Sequence, residues 1–150
     1  MCRVARSVDA DIVLVTPASN LRDFSPFKSD YGEIGVVIAV DEHVTHGSEL
    51  LDAGDGKAAL SEFESALRID ARNANVAWLA TKATKAAVAC GDGEAATKYA
   101  ALARDEDICP LRATREILDV VAETGQAENV PVVNFLDVVA TAANDSCGIP

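Results

Sequence analysis

GDGKAA at residues 54–59 returns 37 residues later as GDGEAA at residues 91–96, and this near-repeat decides the architecture of the middle of the chain. Gly-Asp-Gly is turn chemistry. Glycine enters left-handed backbone without penalty, and an Asp side chain caps the helix that follows. From about residue 41 to residue 107 the chain is Ala-rich, with no proline and no β-branched run. It therefore reads as helix broken by short turns. Two such turns at one period predict two helix–turn–helix hairpins stacked on each other.

Working outward from the first turn, Gly47 precedes it, and Ala59, Phe63 and Ala66 follow it. This spacing resembles the small-residue and aromatic positions of a tetratricopeptide repeat. Small residues let paired helices approach closely, and the aromatic fills the space between one hairpin and the next. In the second copy Trp78 opens the hairpin, Gly91 turns it, and Ala96 and Ala103 hold the close-packing positions. Tyr99 stands one place off the aromatic position. Phe63 and Trp78 read as core, since aromatics at helical spacing are usually buried. Two hairpins are fewer than the ~3 repeats of a free-standing array, so they are expected to lean on other structure.

That other structure is in the flanks. Residues 11–16 (DIVLVT) and 130–136 (VPVVNFL) are short β-branched runs of the kind found in parallel strands covered on both faces. A helix is expected over residues 112–123, with Ala113, Ile117, Val120 and Val121 on its apolar face and Gly125 as its stop. Residues 2–8 read as a short helix feeding the first strand. Strand, crossover helix and strand make a right-handed βαβ unit. The expected fold class is α/β, mostly α by residue count, with an α/β part at residues 1–30 and 108–150 and a helical insertion at residues 41–107.

The 150 residues carry 13 Lys+Arg against 24 Asp+Glu, a formal net charge of −11. Nucleic acid and anionic membrane surfaces are disfavoured as partners, because both want a basic face. No apolar run approaches the ~20 residues that span a bilayer, and no signal peptide is legible, so a cytoplasmic location is expected. Cys2, Cys90, Cys109 and Cys147 are widely spaced and read as thiols.

The segment TPASNLRDFSPFKS at residues 16–29 follows the C-terminal end of the first strand, where open α/β sheets place ligands. Ser19, Asn20, Arg22, Asp23, Phe24, Ser25, Phe27 and Lys28 are therefore candidates for a substrate-facing wall. The other reading is a structural loop whose Asn and Asp cap turns. His43 and His46 stand at i, i+3 among Asp41, Glu42 and Glu49, and read as solvated rather than as zinc ligands. No metal site and no cofactor is expected: there is no glycine-rich phosphate loop and no basic patch.

The order of features resembles a bacterial group of SGNH (GDSL-type) hydrolases that carry a tetratricopeptide-like helical insertion. The resemblance rests on residues 11–29, on GDGKAALSEFESALRIDARNA at 54–74, on ARDEDICPLRAT at 103–114, on the helix and strand to Phe135, and on DSCGIP at 145–150. Residues 31–40 match least. The resemblance implies an incomplete flavodoxin-like sheet and an ester-hydrolase family. That family's nucleophilic Ser lies in a GDS-like block, its oxyanion donors in later Gly and Asn blocks, and its base in an Asp-x-x-His. None of these blocks is present, and Asn20 lies in the wrong place to be the oxyanion Asn. The resemblance thus implies a hydrolase portion inactive alone, whose partner is the missing N-terminal half of the α/β domain. The alternative is a tetratricopeptide-like interaction module with a protein or peptide on its hairpins.

Overall fold

The computed structural model describes residues 2–21, 25–26, 34–70 and 75–142. In chain order the elements are α1 (Cys2–Ser7), β1 (Leu14–Val15), α2 (Ile34–Asp52), α3 (Gly56–Ile69), α4 (Val76–Cys90), α5 (Gly93–Asp105), α6 (Arg115–Ala127), β2 (Val132–Val133) and α7 (Phe135–Ala142). The chain is mostly helical, with one small two-stranded parallel sheet.

The two Gly-Asp-Gly turns are built alike. Gly54 and Gly91 take left-handed backbone, with φ of 84° and 76°. Asp55 N donates to Leu50 O as Asp92 N donates to Ala87 O, and Gly54 N to Leu51 O as Gly91 N to Val88 O. These bonds close the preceding helix in a Schellman motif. Each Asp then opens the next helix, Asp55 accepting from Ala58 N at 3.0 Å and Asp92 from Ala95 N at 2.9 Å. The turns join α2 to α3 and α4 to α5, and α3 packs on α4, so four helices form a continuous stack.

The core of the stack is made of small residues around a few large ones. Ala59, Ala83, Ala86, Ala87, Ala96 and Ala100 are buried with Leu60, Phe63 and Tyr99. Val40, Ala66 and Leu79 form a second cluster, and Ala103 is buried too. Close approach is enforced at two glycines. A Cβ on Gly47 would sit 2.9 Å from Phe63 Cε1, and one on Gly56 would sit 2.9 Å from the Cys90 nitrogen. Gly91 differs from the packing residues: it is exposed, nothing lies within 4 Å of where its Cβ would be, and its role is conformational. Tyr99 donates its hydroxyl to Glu64 Oε1 at 2.6 Å, tying α5 to α3.

The sheet is shorter than the sequence runs. Leu14 pairs with Val132 and Val15 with Val133, in parallel. Pro131 has no N–H to give the ladder, and beside the paired residues the strands share Leu14 N on Pro131 O and Thr16 N on Val133 O. Phe135, expected in the second strand, instead begins α7. The expected cover on both faces is also absent among the described residues. Val13 and Val15 are 56% and 52% exposed, and Val132 and Val133 lie at the surface as well.

α6 departs from the expectation in both ends and face. It runs to Ala127, through Gly125, which does not stop it but lets it seat on the sheet. A Cβ there would fall 2.0 Å from Val132 Cγ2 and 3.1 Å from Val130 O. Ala113 precedes the helix, and Ile117 and Val120 remain at the surface, 49% and 59% exposed.

Candidate functional site

The C-terminal ends of both strands open into a cleft of about 480 Å³. Thr16 and Leu21 line it from the segment after β1, and Val132 and Asn134 from β2 and the residue after it. Thr97, Ala101 and Arg104 of α5, Arg115, Leu118, Asp119 and Ala122 of α6, and Leu136 and Asp137 of α7 complete the wall. The cleft therefore lies where the helical stack meets the sheet, at the position parallel sheets use for ligands.

A polar chain runs along the strand ends. Phe135 N donates to Thr16 Oγ1 at 2.9 Å, and Thr16 Oγ1 donates to Asn134 Oδ1 at 3.0 Å. Asn134 Nδ2 in turn donates to Asp137 Oδ2 at 2.7 Å. Thr16 is buried, and its proton is held by an amide oxygen, which is not a base. Its hydroxyl is thus a structural link, not an activated nucleophile.

Charge enters the cleft from α5 and α6. The Arg104 side chain is only 6% exposed and grips Asp105 with two bonds, Nε to Oδ1 at 2.7 Å and an NH2 to Oδ2 at 2.9 Å. Arg115 joins the same carboxylate, its backbone N at 2.9 Å from Oδ1 and its Nε at 3.4 Å from Oδ2. Burial pushes the Asp105 carboxyl up. The Arg104 hydrogen bond, the Arg115 amide and the two guanidinium charges outweigh it and hold the carboxyl below its usual range. Asp105 thereby fixes the start of α6 against the end of α5.

The candidate wall residues are not brought together at this cleft. Ser19 is buried, and the Asn20 carbonyl accepts from an Arg112 guanidinium nitrogen at 3.3 Å; neither side chain lines the cleft. Ser25 lines a separate groove of about 200 Å³ between α2 and α4, with Ser48, Leu51, Asp52, Phe63, Trp78, Thr81, Lys82 and Lys85. Arg22, Asp23, Phe24, Phe27 and Lys28 lie outside the described residues. Sequence reasoning missed Arg104, Arg115, Asp119, Asn134 and Asp137. For Asn134 a signal existed, since it follows the second strand as Thr16 follows the first.

His43 and His46 converge on one carboxylate, Nδ1 of His43 lying 2.6 Å from Glu62 Oε2 and Nδ1 of His46 lying 3.2 Å from Oε1. They latch α2 to α3. Among the described residues no group of three His, Cys, Asp or Glu side chains is placed to hold a metal ion, and no helix is long and apolar enough to cross a membrane. Comparison with protein-family models, with curated proteins and with solved structures gave no match.

Proposed function

We propose that this chain is a portion of an SGNH/GDSL-type ester hydrolase-like protein, supplying one wall of the active-site cleft and a helical insertion. The observation that carries the reading is the open sheet. Two parallel strands with exposed valines leave both ladder edges unpaired among the described residues, and soluble proteins do not leave such edges uncovered. Further strands of the same α/β domain would cover them and extend the cleft at the strand ends. In this reading the nucleophilic Ser and the Asp-x-x-His base come from elsewhere in the domain. Thr16, Asn134 and Asp137 shape the cleft, and no residue here attacks the ester. The coding DNA on both sides of this frame is expected to hold an in-frame GDS-like block upstream and an Asp-x-x-His downstream; stop codons adjoining both ends would overturn the reading. Purified 1–150 is expected to hydrolyse p-nitrophenyl acetate no faster than buffer, and clear turnover would reveal a nucleophile that this account lacks.

The groove between α2 and α4 favours a second reading, an interaction module, because Trp78 is 37% exposed beside it. A peptide bound there would shift the emission of this one tryptophan.

A further inference from the structure

We infer that the cleft at the strand ends binds a short apolar peptide with both termini free, its carboxylate at Arg104 and Arg115 and its ammonium at Asp119 and Asp137. The inference stands on the lining of the cleft and does not depend on the hydrolase reading. Two helix faces build most of the wall. Thr97, Ala101 and Arg104 recur at i, i+4 and i+7 on α5, and Arg115, Leu118, Asp119 and Ala122 share one face of α6. Ala101 and Ala122 are short side chains, which helps keep the cleft of about 480 Å³ open. Leu21, Leu118 and Leu136 give it apolar sides.

The charges of the lining are unbalanced in two places. Arg104 and Arg115 share the one Asp105 carboxylate, and among the described residues no second carboxylate comes within ion-pair distance of either. Arg104 matters most. Its side chain is 6% exposed, its Nε and one terminal nitrogen are spent on Asp105, and its Nη1 has no partner among the described residues. A guanidinium keeps its charge, and one buried with incomplete pairing is costly, so a carboxylate in the cleft completes it. Asp119 and Asp137 lie on the same lining, exposed, and neither pairs with a cation among the described residues. Asp137 spends one oxygen on Asn134 Nδ2. A plain anion is repelled by these two carboxylates and a plain cation by Arg104, whereas a ligand with both charges suits both. Arg115 and Asp119 are one helical turn apart, roughly 5–6 Å between Cβ atoms. Two extended residues span at most ~7 Å and a single one about half of that, so a dipeptide reaches both charges where a free amino acid falls short. Its side chains then meet Leu21, Leu118 and Leu136.

The test is calorimetric titration of the full chain at neutral pH with leucyl-leucine and with two relatives that each lack one charge, N-acetyl-leucyl-leucine and leucyl-leucinamide. Leucyl-leucine is expected to bind, and each relative to bind about tenfold more weakly or worse, the loss that follows when a charge-assisted hydrogen bond is removed. Two variants place the peptide. Arg115→Met keeps the Arg115 amide on Asp105, and Asp119→Asn alters an exposed side chain, so both should stay folded, which circular dichroism checks. Arg115→Met is expected to weaken leucyl-leucine without weakening leucyl-leucinamide, and Asp119→Asn to weaken leucyl-leucine without weakening N-acetyl-leucyl-leucine. Absence of saturable binding at millimolar leucyl-leucine would overturn the inference. Either relative binding as tightly as leucyl-leucine would overturn the requirement for both charges. Unchanged affinity for leucyl-leucine in both variants would put the peptide outside the cleft and overturn the site.

Discussion

Replacing Phe63 by Ala tests the packing logic of the helical stack most directly. Phe63 is 1% exposed, and a buried Phe removed in this way costs roughly 3–5 kcal/mol. Its cluster holds Ala59, Ala83 and Ala86 beside larger side chains such as Leu60 and Tyr99, and Gly47 faces the ring directly. The same geometry makes Gly47 dependent on Phe63. In the native chain Gly47→Ala drives a methyl to 2.9 Å from the ring and 3.1 Å from Glu62 Cβ, an overpacking that costs about 1–3 kcal/mol. Once the ring is gone, the methyl enters the void and the substitution gains up to ~1 kcal/mol of helix propensity. A double-mutant cycle by urea unfolding, followed at Trp78 and by circular dichroism, reads the sign. Gly47→Ala should destabilise the native chain and be neutral or stabilising in Phe63→Ala. An equal cost in both backgrounds would refute the view that the glycine exists to admit the ring.

Asp55→Ala and Asp92→Ala each remove a side-chain acceptor from a helix start, and each should lower stability by about 1 kcal/mol in thermal unfolding. Glu62 contributes to pH dependence. The His43 hydrogen bond pulls its carboxyl down, burial opposes this, and the His46 and His43 charges pull it further down, leaving it below its ordinary value. A carboxyl lowered by folding stabilises above its unfolded pKa of roughly 4.3, and that contribution is lost as the pH falls through the folded value. The stability gap between the native chain and Glu62→Gln, from urea midpoints, should therefore close on acidification below about pH 4. Gly125→Ala should destabilise despite better helix propensity, because its methyl would lie 2.0 Å from Val132 Cγ2. Adding Val132→Ala should recover part of that loss in the same thermal melts, leaving the 3.1 Å approach to Val130 O.

The hairpins were legible because their determinants are local. A left-handed glycine and a capping Asp act within a few residues, and they recur at one spacing. Strand length was not, since an apolar run registers neither the donor that Pro131 withholds nor the start of α7 at Phe135. The face of α6 was misread for a related reason. Periodicity points to Ile117 and Val120, but contact with the sheet is decided by where backbone can approach, at Gly125. The loop after β1 was rightly seen to start at the strand end, yet its residues separate, Leu21 to the cleft and Ser25 to the groove. The charged half of the cleft could not be read from the chain. Arg104, Arg115 and Asp137 meet Thr16 only through the packing of α5, α6 and α7 around the strand ends.

The pairing of β1 with β2 also sets an order of events. Thr16 and Asn134, at the end of the ladder, are 118 residues apart in sequence. Closing so long a flexible loop costs about 4 kcal/mol in chain entropy, more than two ladder pairs return. The hairpins, whose contacts are near in sequence, can form without the sheet and draw the distant ends together. The sheet is then the last element to assemble and the first to open, by a sub-global fluctuation that leaves the hairpins intact. Native-state hydrogen exchange should show the Thr16 amide exchanging far faster than the Ala59 amide. Equal protection at both would mean that sheet and hairpins fold as one unit. The strand ends that frame the cleft are thus held on the timescale of the weakest part of the molecule, and the cleft can come apart while the helices stay folded.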